Sequence, residues 1–564
     1  MNILKNIKFN KYIVLLFLII IPVFTYLSIK AMQVDSWDDW GFGSAQIMLG
    51  VRYWARDGIV NHKFFLLPSG YNEDIKFLDQ PEFQFLADGI ATGELIGRRL
   101  YYAHYPSGYL ISSGILAKIG FNDRYWFRML ALLLSFGAIF FIYGFIYLVT
   151  NKKHWPALIA VFYYLTSTTF LRYADSLSNQ PIDDLLKWAI LFFSIYAADF
   201  TSEIKLKKKL IILIWLLYFI LASSSYDSTF FVFFWLCALT YYNNLKIEKP
   251  WFKQFFTKVN IKKYFIWASA PILAFSLQIA QNMWYLGFKD MVLDFWGAFV
   301  FRSTETMGSA NSLPFFVKSF IVALANIGYF TDLRTRFALP LFIFILFFIY
   351  KSNIVANYKK LYYYVSFLAL GGFLIGFILP GAGVFGYQGR QLAPALLIII
   401  SIITYKIFTA LKEKNINFNY LFLSLLIIII WLAHFNACYI YVKKWPNNVV
   451  SIDAINYWRE LNNITSKNTI ILTLQDVEEI NHGKFIPQFY ADRLILFFSD
   501  IDNLLHYMNK ISKSIKKTDF LLVVHADDTD LVKKFIIENQ DYFAQKINIE
   551  KNNLIHFKIK ANEF

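Results

Sequence analysis

Charged residues are scarce in this sequence and make up 17% of its 564 residues. A typical soluble globular protein has about 25% charged residues, whereas this chain is 57% hydrophobic and 20% aromatic. Its apolar residues form runs that approach the roughly 20 residues needed to cross a bilayer. The composition therefore excludes an ordinary soluble globule, a disordered chain, collagen and a coiled coil, and it indicates a polytopic α-helical membrane protein.

Cysteine is also nearly absent, since only Cys237 and Cys438 occur and each sits inside an apolar run. Two isolated thiols in such runs are typical of small buried hydrophobic residues. They exclude a disulfide scaffold and a cysteine-based metal site.

The apolar runs predict about 11–13 transmembrane helices. The first is expected to be retained, because no small-residue cleavage site follows it. The segment 313–330 is either a further span or an interfacial helix. The predicted spans are 12–29, 126–149, 155–171, 182–200, 210–222, 228–242, 264–286, 337–350, 361–379, 392–409 and 419–441.

The short loops between alternate spans contain 20 basic and three acidic residues. By the positive-inside rule these loops are cytoplasmic, so the N-terminus is inside and the C-terminus outside. The tail after 441 has 16 basic and 16 acidic residues, so the net charge of +16 belongs to the membrane part. The basic surplus is therefore a topology signal, and nucleic acid is not an expected partner.

This topology predicts a membrane domain over 1–441 and a separate tail domain over 450–564. The membrane domain contains a first outer loop, 31–125, and a second, 287–336. The tail has short β-type runs at 469–474, 494–498 and 520–524, separated by charged helix-like segments. This alternation predicts a soluble α/β domain. The abundance of Lys, Asn and Ile suggests a bacterial chain, and so an inner membrane with the tail in the periplasm.

Three carboxylates, Asp35, Asp38 and Asp39, follow the first span within five residues and are flanked by tryptophans. Like charges this close repel each other, and shared use in catalysis or cation binding is one reason to keep them together. The structural alternative is that Asp38 or Asp39 caps a helix beginning near Ser44, with the tryptophans in an interfacial belt.

Further polar clusters occur where later spans begin, and costly polar groups at a membrane face indicate function. They comprise His104 and Tyr105, Arg124 and Arg128, Asp183 and Asp184, Arg302, and Arg390. The structural alternatives are a structural histidine, snorkelling arginines and carboxylates that favour a helix dipole. Carboxylates that activate a nucleophile, together with arginines that hold a phosphate, suit group transfer from a lipid-phosphate donor.

In this order the motifs resemble those of GT-C membrane glycosyltransferases, particularly the protein O-mannosyltransferase and lipid A aminoarabinose transferase branch. The matching elements are Asp38-Asp39 with the following GIVNHKFFLLPSG, His104-Tyr105-Pro106, Arg128 or Arg124, Gln180-Pro181-Ile182-Asp183-Asp184, Arg390 with Pro394, and Phe489-Tyr490-Ala491-Asp492-Arg493. The resemblance implies a GT-C-like membrane fold with an outer C-terminal domain.

The resemblance also implies an inverting glycosyltransferase with a polyprenyl-phosphate sugar donor, such as an undecaprenyl-phosphate sugar. Asp39, or Asp38, would be the catalytic base on the acceptor, which is a glycolipid, a wall polymer or a protein. The substrate-binding residues would be Asp35, His104, Tyr105, Arg124, Arg128, Asp183, Asp184, Arg302 and Arg390. Asp38, Asp39 and Asp184 could hold Mg²⁺ or Mn²⁺ through oxygen ligands, although a monophosphate leaving group does not require a metal.

Three other roles are compatible with a polytopic chain of this kind: a transporter, a ligase or polymerase, and a non-catalytic assembly subunit, for which the acidic clusters would be superfluous. A flippase or transporter of lipid-linked sugars predicts polar residues in the middle of spans and inverted repeats, whereas the polar groups here concentrate on one side. An O-antigen ligase or polymerase predicts a large periplasmic loop late in the chain, whereas the largest internal loop here is the first. Both observations favour the glycosyltransferase.

Replacing the predicted base tests this interpretation. We expect Asp39→Asn to reduce sugar transfer about 10²–10⁴-fold, because a positioned general base contributes that much to the rate. Expression and folding should be unchanged, since only one proton acceptor is removed. Transfer assays on membranes containing equal amounts of each protein measure the effect. Full activity in the variant would show that the base has been wrongly assigned.

Overall fold

The structure is a computed structural model that describes most of the chain. The described residues are 11–33, 37, 41–66, 103, 105–244, 254–304, single positions between 317 and 331, 359–378, 386–413, 418–443, 450, 452–466, 469–474, 485–498, 519–525 and 554–560. The chain forms two compact units. The first, the membrane unit, comprises Met1–Met32, Tyr105–Tyr109 and Arg128–Asn447, and the second, the sheet unit, comprises Gln33–His104, Leu110–Phe127 and Asn448–Phe564.

The described part of the chain is largely helical. In chain order its helices are α1 (Lys11–Met32), α2 (Gly41–Asp57), α3 (Leu110–Lys118), α4 (Arg124–Val149), α5 (His154–Leu165), α6 (Thr168–Tyr173), α7 (Gln180–Ile195), α8 (Ile204–Ala222), α9 (Tyr226–Asn243), α10 (Lys258–Thr304), α11 (Lys359–Ile378), α12 (Ala393–Lys412), α13 (Phe418–Lys443), α14 (Ile452–Ile464) and α15 (Phe485–Ala491). A π-helical turn (Tyr196–Phe200) follows α7, and a 3₁₀ turn (Gly386–Gln391) precedes α12.

Every predicted span that falls on described residues coincides with helix, and the span at 337–350 lies outside them. The span predicted at 155–171 is two helices, α5 and α6, because the chain turns at Thr166 and Ser167 caps α6. Four described helices are long and apolar enough to cross a membrane: Lys11–Met32, Arg124–Val149, Ala393–Lys412 and Leu423–Lys443.

The core of the membrane unit is built from large side chains that are completely buried. Trp188 and Trp235 are 0% exposed, and the indole nitrogen of Trp235 donates to Ser194 Oγ at 3.0 Å. This hydrogen bond joins α7 to α9 within an apolar environment, where an unpaired indole N–H would be costly.

The sheet unit contains a four-stranded sheet. Its strands are β1 (Ile470–Leu474), β2 (Ile495–Phe498), β3 (Asp519–His525) and β4 (Leu554–Lys560), in the order β2-β1-β3-β4. β1 is parallel to β2 and β3, whereas β4 pairs antiparallel with β3. The three predicted β-type runs coincide with β1, β2 and β3. Strand β4 was not predicted, although its alternation of apolar and basic residues is a strand signal.

Aromatic contacts join distant segments inside the sheet unit. Trp37 is 2% exposed and lies edge-on to Phe489 and Tyr490 in α15, with ring centroids 5.8 and 6.0 Å away. Arg52 in α2 donates to the carbonyl oxygen of Phe489 at 3.1 Å. Trp37 is therefore a packing residue, and the alternative that placed the tryptophans in an interfacial belt is wrong for this one.

The segment after α2 is held by a buried histidine. His62 is 1% exposed, and its Nε2 lies 3.2 Å from Asp57 Oδ2. Burial lowers the pKa of His62, and the hydrogen bond to Asp57 only partly opposes that shift.

Gly108 lies where the segment 105–109 meets the end of α8, at Ser223. Its backbone N–H donates to the carbonyl oxygen of Ser223 at 2.8 Å, and a Cβ on Gly108 would lie 2.3 Å from that oxygen. Two stretches of backbone can approach this closely only when one residue has no side chain.

We therefore expect Gly108→Ala to lower the melting temperature of the purified protein, because the backbone must separate and the hydrogen bond is lost. Gly137→Ala is the matched control, since its Cβ would meet only the flexible Cδ1 of Leu185, at 3.1 Å. Fluorescence-monitored thermal unfolding compares the two variants. An equal effect in both would contradict the close-approach explanation.

Candidate functional site

Two adjacent carboxylates lie near the start of α7, as the sequence predicted, with Asp183 in its first turn and Asp184 directly after it. Pro181 stands at the start of this helix, where its missing N–H costs nothing and its fixed φ suits the turn. The negative charges of Asp183 and Asp184 then lie at the positive end of the helix dipole. The side chain of Asp183 is 0% exposed and that of Asp184 is 14% exposed. Carboxylates this deeply buried need cationic or hydrogen-bonding partners.

Asp183 is held by an amide and a guanidinium. Asn179 Nδ2 donates to Asp183 Oδ2 at 2.8 Å and is also 2.7 Å from the phenolic oxygen of Tyr105. Arg390 Nη2 donates to the same carboxylate oxygen at 3.3 Å. Tyr105, Asp183 and Arg390, which the sequence analysis chose separately, thus belong to one hydrogen-bonded network.

Asp184 is held by a phenol and an ammonium group. Tyr164 donates its hydroxyl hydrogen to Asp184 Oδ2 at 2.8 Å, and Lys187 Nζ lies 2.8 Å from Asp184 Oδ1. Lys187 also donates to the carbonyl oxygen of Arg390 at 3.2 Å. We call the four charged residues of this cluster, Asp183, Asp184, Lys187 and Arg390, the paired network, because its two negative charges balance its two positive charges.

Lys187 was missed by the sequence analysis, which treated 182–200 as an apolar span. Its side chain is 0% exposed. A lysine one turn after an acidic pair in such a span was the available signal, because a buried lysine there needs a partner at i−3 or i−4.

A second cluster joins the end of α1 to α4. It lies at Arg128, the first residue of α4 that belongs to the membrane unit. Arg128 is 0% exposed and donates through Nε and Nη2 to Asp175 Oδ2, with the Nε bond at 3.1 Å. Lys30 is 3% exposed and its Nζ lies 3.6 Å from Asp175 Oδ1. Lys30 also donates to the hydroxyl oxygen of Tyr441 at 3.1 Å. The sequence analysis chose Arg128 but not Lys30 or Asp175 for the site.

We call Lys30, Arg128 and Asp175 the cationic cluster, because it brings two buried basic side chains together. All three side chains are buried, so their charges are poorly screened by water. Basic groups in such an environment attract an anion, and a planar guanidinium is well suited to a phosphate.

The remaining predicted residues are not brought into these clusters by the described structure. Arg124 belongs to the sheet unit, where it donates to the carbonyl oxygen of Gln33 and its guanidinium lies 5.3 Å from the Trp37 ring centroid. Arg302 lies on α10, and only its backbone is described. The other four, Asp35, Asp38, Asp39 and His104, lie outside the described residues.

The described residues do not support Asp184 as a metal ligand. Both of its carboxylate oxygens already accept hydrogen bonds, and the Lys187 ammonium 2.8 Å away would repel a divalent cation. Nor do three His, Cys, Asp or Glu side chains come together as a metal site anywhere in the described part of the chain.

The chain is similar to solved structures of ArnT and of archaeal oligosaccharyltransferase. ArnT from Cupriavidus metallidurans bound to undecaprenyl phosphate has a TM-score of 0.53 and 9% identity, over 97% of this chain and 98% of that chain. The Archaeoglobus fulgidus oligosaccharyltransferase in the apo form has a TM-score of 0.53 and 12% identity, over 93% of this chain and 70% of that chain.

The archaeal oligosaccharyltransferase AglB from the same organism, in complex with an inhibitory peptide and a dolichol phosphate, has a TM-score of 0.50 and 11% identity, over 93% of this chain and 70% of that chain. No family model matches the chain, and neither does any curated protein. At identities this low the likeness concerns the fold alone.

The paired network makes a prediction about stability. Lys187→Met should lower the free energy of unfolding by about 3–5 kcal/mol, because it leaves the Asp184 charge buried without its partner. The double variant Lys187→Met/Asp184→Asn should recover most of that loss, since it removes both charges. Thermal or denaturant unfolding in detergent provides the measurement.

Lys360→Met is the matched control, because it breaks an ion pair with Asp199 in which the lysine side chain is 44% exposed. An exposed pair contributes about 0–1 kcal/mol. Equal losses in Lys187→Met and Lys360→Met, or no recovery in the double variant, would mean that the Asp184–Lys187 pair does not stabilise the helices.

Proposed function

Because this chain has the GT-C-like fold that its motifs predicted, we propose that it is an inverting membrane glycosyltransferase. It moves a sugar from a polyprenyl-phosphate donor to a glycolipid, wall polymer or protein acceptor. The reaction takes place at the outer face of a bacterial inner membrane, where nucleotide sugars are not available. The N-terminus is then cytoplasmic, and the tail over 450–564 is a soluble periplasmic α/β domain.

The observation that carries this proposal is the cationic cluster. Lys30 and Arg128 bring two buried basic side chains to Asp175, and removing such groups from water costs several kcal/mol. A phosphate monoester would be attracted by both cations, because little water screens them. The fold supports the same ligand class, since the similar ArnT structure holds undecaprenyl phosphate.

In the proposed reaction, Asp39 or Asp38 removes a proton from the acceptor hydroxyl or amine as the acceptor attacks the anomeric carbon. The bond between the anomeric carbon and the phosphate oxygen breaks, and the polyprenyl phosphate departs with that electron pair. Negative charge grows on the leaving phosphate, so fixed cations lower the barrier. Arg128, Arg302 and Arg390 are the proposed cations.

The paired network has a positioning role in this mechanism. Asp183 and the backbone contact to Lys187 hold Arg390 in the turn before α12, so its guanidinium need not reorganise when the phosphate leaves. Asp35, His104, Tyr105, Arg124, Asp183 and Asp184 complete the proposed substrate-binding set. We propose no step through a metal ion, because Asp184 already has hydrogen-bonding partners at both oxygens.

Donor binding gives a direct test. The unmodified protein should bind undecaprenyl phosphate, and Lys30→Met should weaken that binding about 10- to 100-fold, the equivalent of one charged hydrogen bond worth about 1.5–3 kcal/mol. Lys30→Met leaves the Arg128–Asp175 pair intact, so the fold should survive. Native mass spectrometry of the detergent-solubilised protein measures the affinity.

Lys443→Met is the matched control, because Lys443 is exposed at the outer end of α13 in the proposed topology. Its affinity for undecaprenyl phosphate should equal that of the parent. If the parent does not bind undecaprenyl phosphate at all, the proposed function is wrong. If Lys30→Met binds as tightly as the parent, the phosphate does not sit at the cationic cluster.

A further inference from the structure

One face of helix α10 is buried, and its residues change from apolar to polar along the helix. Ala270 and Ala274 are buried, and the next two positions at the same spacing, Gln278 and Asn282, are 7% and 0% exposed. Residues four apart lie on one face of a helix. The neighbouring side chains Leu277 and Met283 are exposed apolar residues, so the amides are confined to the inner face.

Buried amides within a membrane span are costly unless they are hydrogen-bonded. Gln278 satisfies its oxygen, which accepts from the hydroxyl of Tyr226 at 2.6 Å. The amide nitrogen of Gln278 and both polar atoms of Asn282 have no hydrogen-bond partner among the described residues. A buried amide with no hydrogen-bond partner in the described part of the chain points to a ligand that would supply one.

A second buried asparagine on α10 shows how a purely structural amide behaves. Asn260 is 1% exposed, donates to the carbonyl oxygen of Gln254 at 2.8 Å and accepts from Asn244 Nδ2 at 2.8 Å. Its donor and acceptor groups both bond to the protein. Asn260 therefore stabilises the fold through its hydrogen bonds, whereas the donor and acceptor groups of Asn282 bond to no described residue.

The amides lie beside the site described above. The ring of Tyr226, which bonds Gln278, is 5.5 Å from the ring of Tyr105. Tyr105 accepts from Asn179, which also donates to Asp183 in the paired network. One chain of contacts therefore leads from the carboxylate that holds Arg390 to the amides of α10.

We propose that Gln278 and Asn282, with Tyr105 and Tyr226, form the subsite for the sugar of the donor, and that this sugar is a neutral, hydroxyl-rich ring. This inference rests on the proposed function and specifies its substrate class. An amide both donates and accepts, as a sugar hydroxyl does, and a phenol ring can pack on the apolar C–H face of a sugar. None of the four side chains is charged, so they favour a neutral sugar over a cationic amino sugar.

The test compares four lipids on the detergent-solubilised full chain by native mass spectrometry. They are undecaprenyl phosphate and its conjugates with glucose, N-acetylglucosamine and 4-amino-4-deoxyarabinose. We expect at least one neutral conjugate to bind about tenfold more tightly than undecaprenyl phosphate, since the sugar adds hydrogen bonds to the amides. The aminoarabinose conjugate should show no such gain.

The variants Gln278→Leu and Asn282→Leu should lose the gain from the neutral sugar while retaining the parent's affinity for undecaprenyl phosphate. Asn282→Leu should also keep or raise the melting temperature, because it removes an unpaired buried amide. Asn260→Leu is the matched control. It should lower the melting temperature and leave the sugar-dependent gain unchanged in the folded fraction.

The outcomes separate the two proposals. If undecaprenyl phosphate binds but no neutral conjugate binds more tightly, or if the amide variants keep the gain, the subsite is wrong and the proposed function stands. Tightest binding of the aminoarabinose conjugate would likewise overturn the neutral-sugar assignment. Failure of the parent to bind undecaprenyl phosphate would overturn both proposals.

Discussion

A charge enclosed by apolar helices must be neutralised by a group that the fold brings to it, because no bulk water is present to solvate it. This constraint explains the organisation of the membrane unit around its polar residues. Asp183 and Asp184 need Arg390 and Lys187, so the start of α7 is held against the turn before α12. The remaining side chains of these helices form the apolar packing that encloses the pairs.

The same constraint separates the polar groups that stabilise the fold from those that serve a ligand in both proposals. The paired network contains two acidic and two basic side chains. Its pairs fix Arg390 and hold the start of α7 against the turn before α12. The cationic cluster brings two buried basic side chains, Lys30 and Arg128, to Asp175. Asn282 differs from Asn260, because its polar atoms are buried without a hydrogen-bond partner among the described residues. Polar groups buried in an apolar interior are the feature on which both proposals depend.

Much of the fold followed from local pattern. The predicted spans that fall on described residues coincide with helices, and β1, β2 and β3 coincide with the predicted runs, because run length and alternation are properties of neighbouring residues. The membrane orientation and the domain boundaries remain predictions. Lys187 was overlooked because one lysine does not change the character of an apolar span, and Lys30 because a lysine at a span end is normally an interfacial anchor.

By itself, the sequence determined where helices and strands form and which polar residues were unusual enough to suspect. Only the tertiary structure decided which charges meet. Arg128 and Asp175 are 47 residues apart, and Arg390 and Asp183 are 207 residues apart. No local pattern encodes such pairings, because they depend on how several helices pack at once. The net charge of a cluster, and hence its ability to hold an anion, is fixed only when that packing is complete.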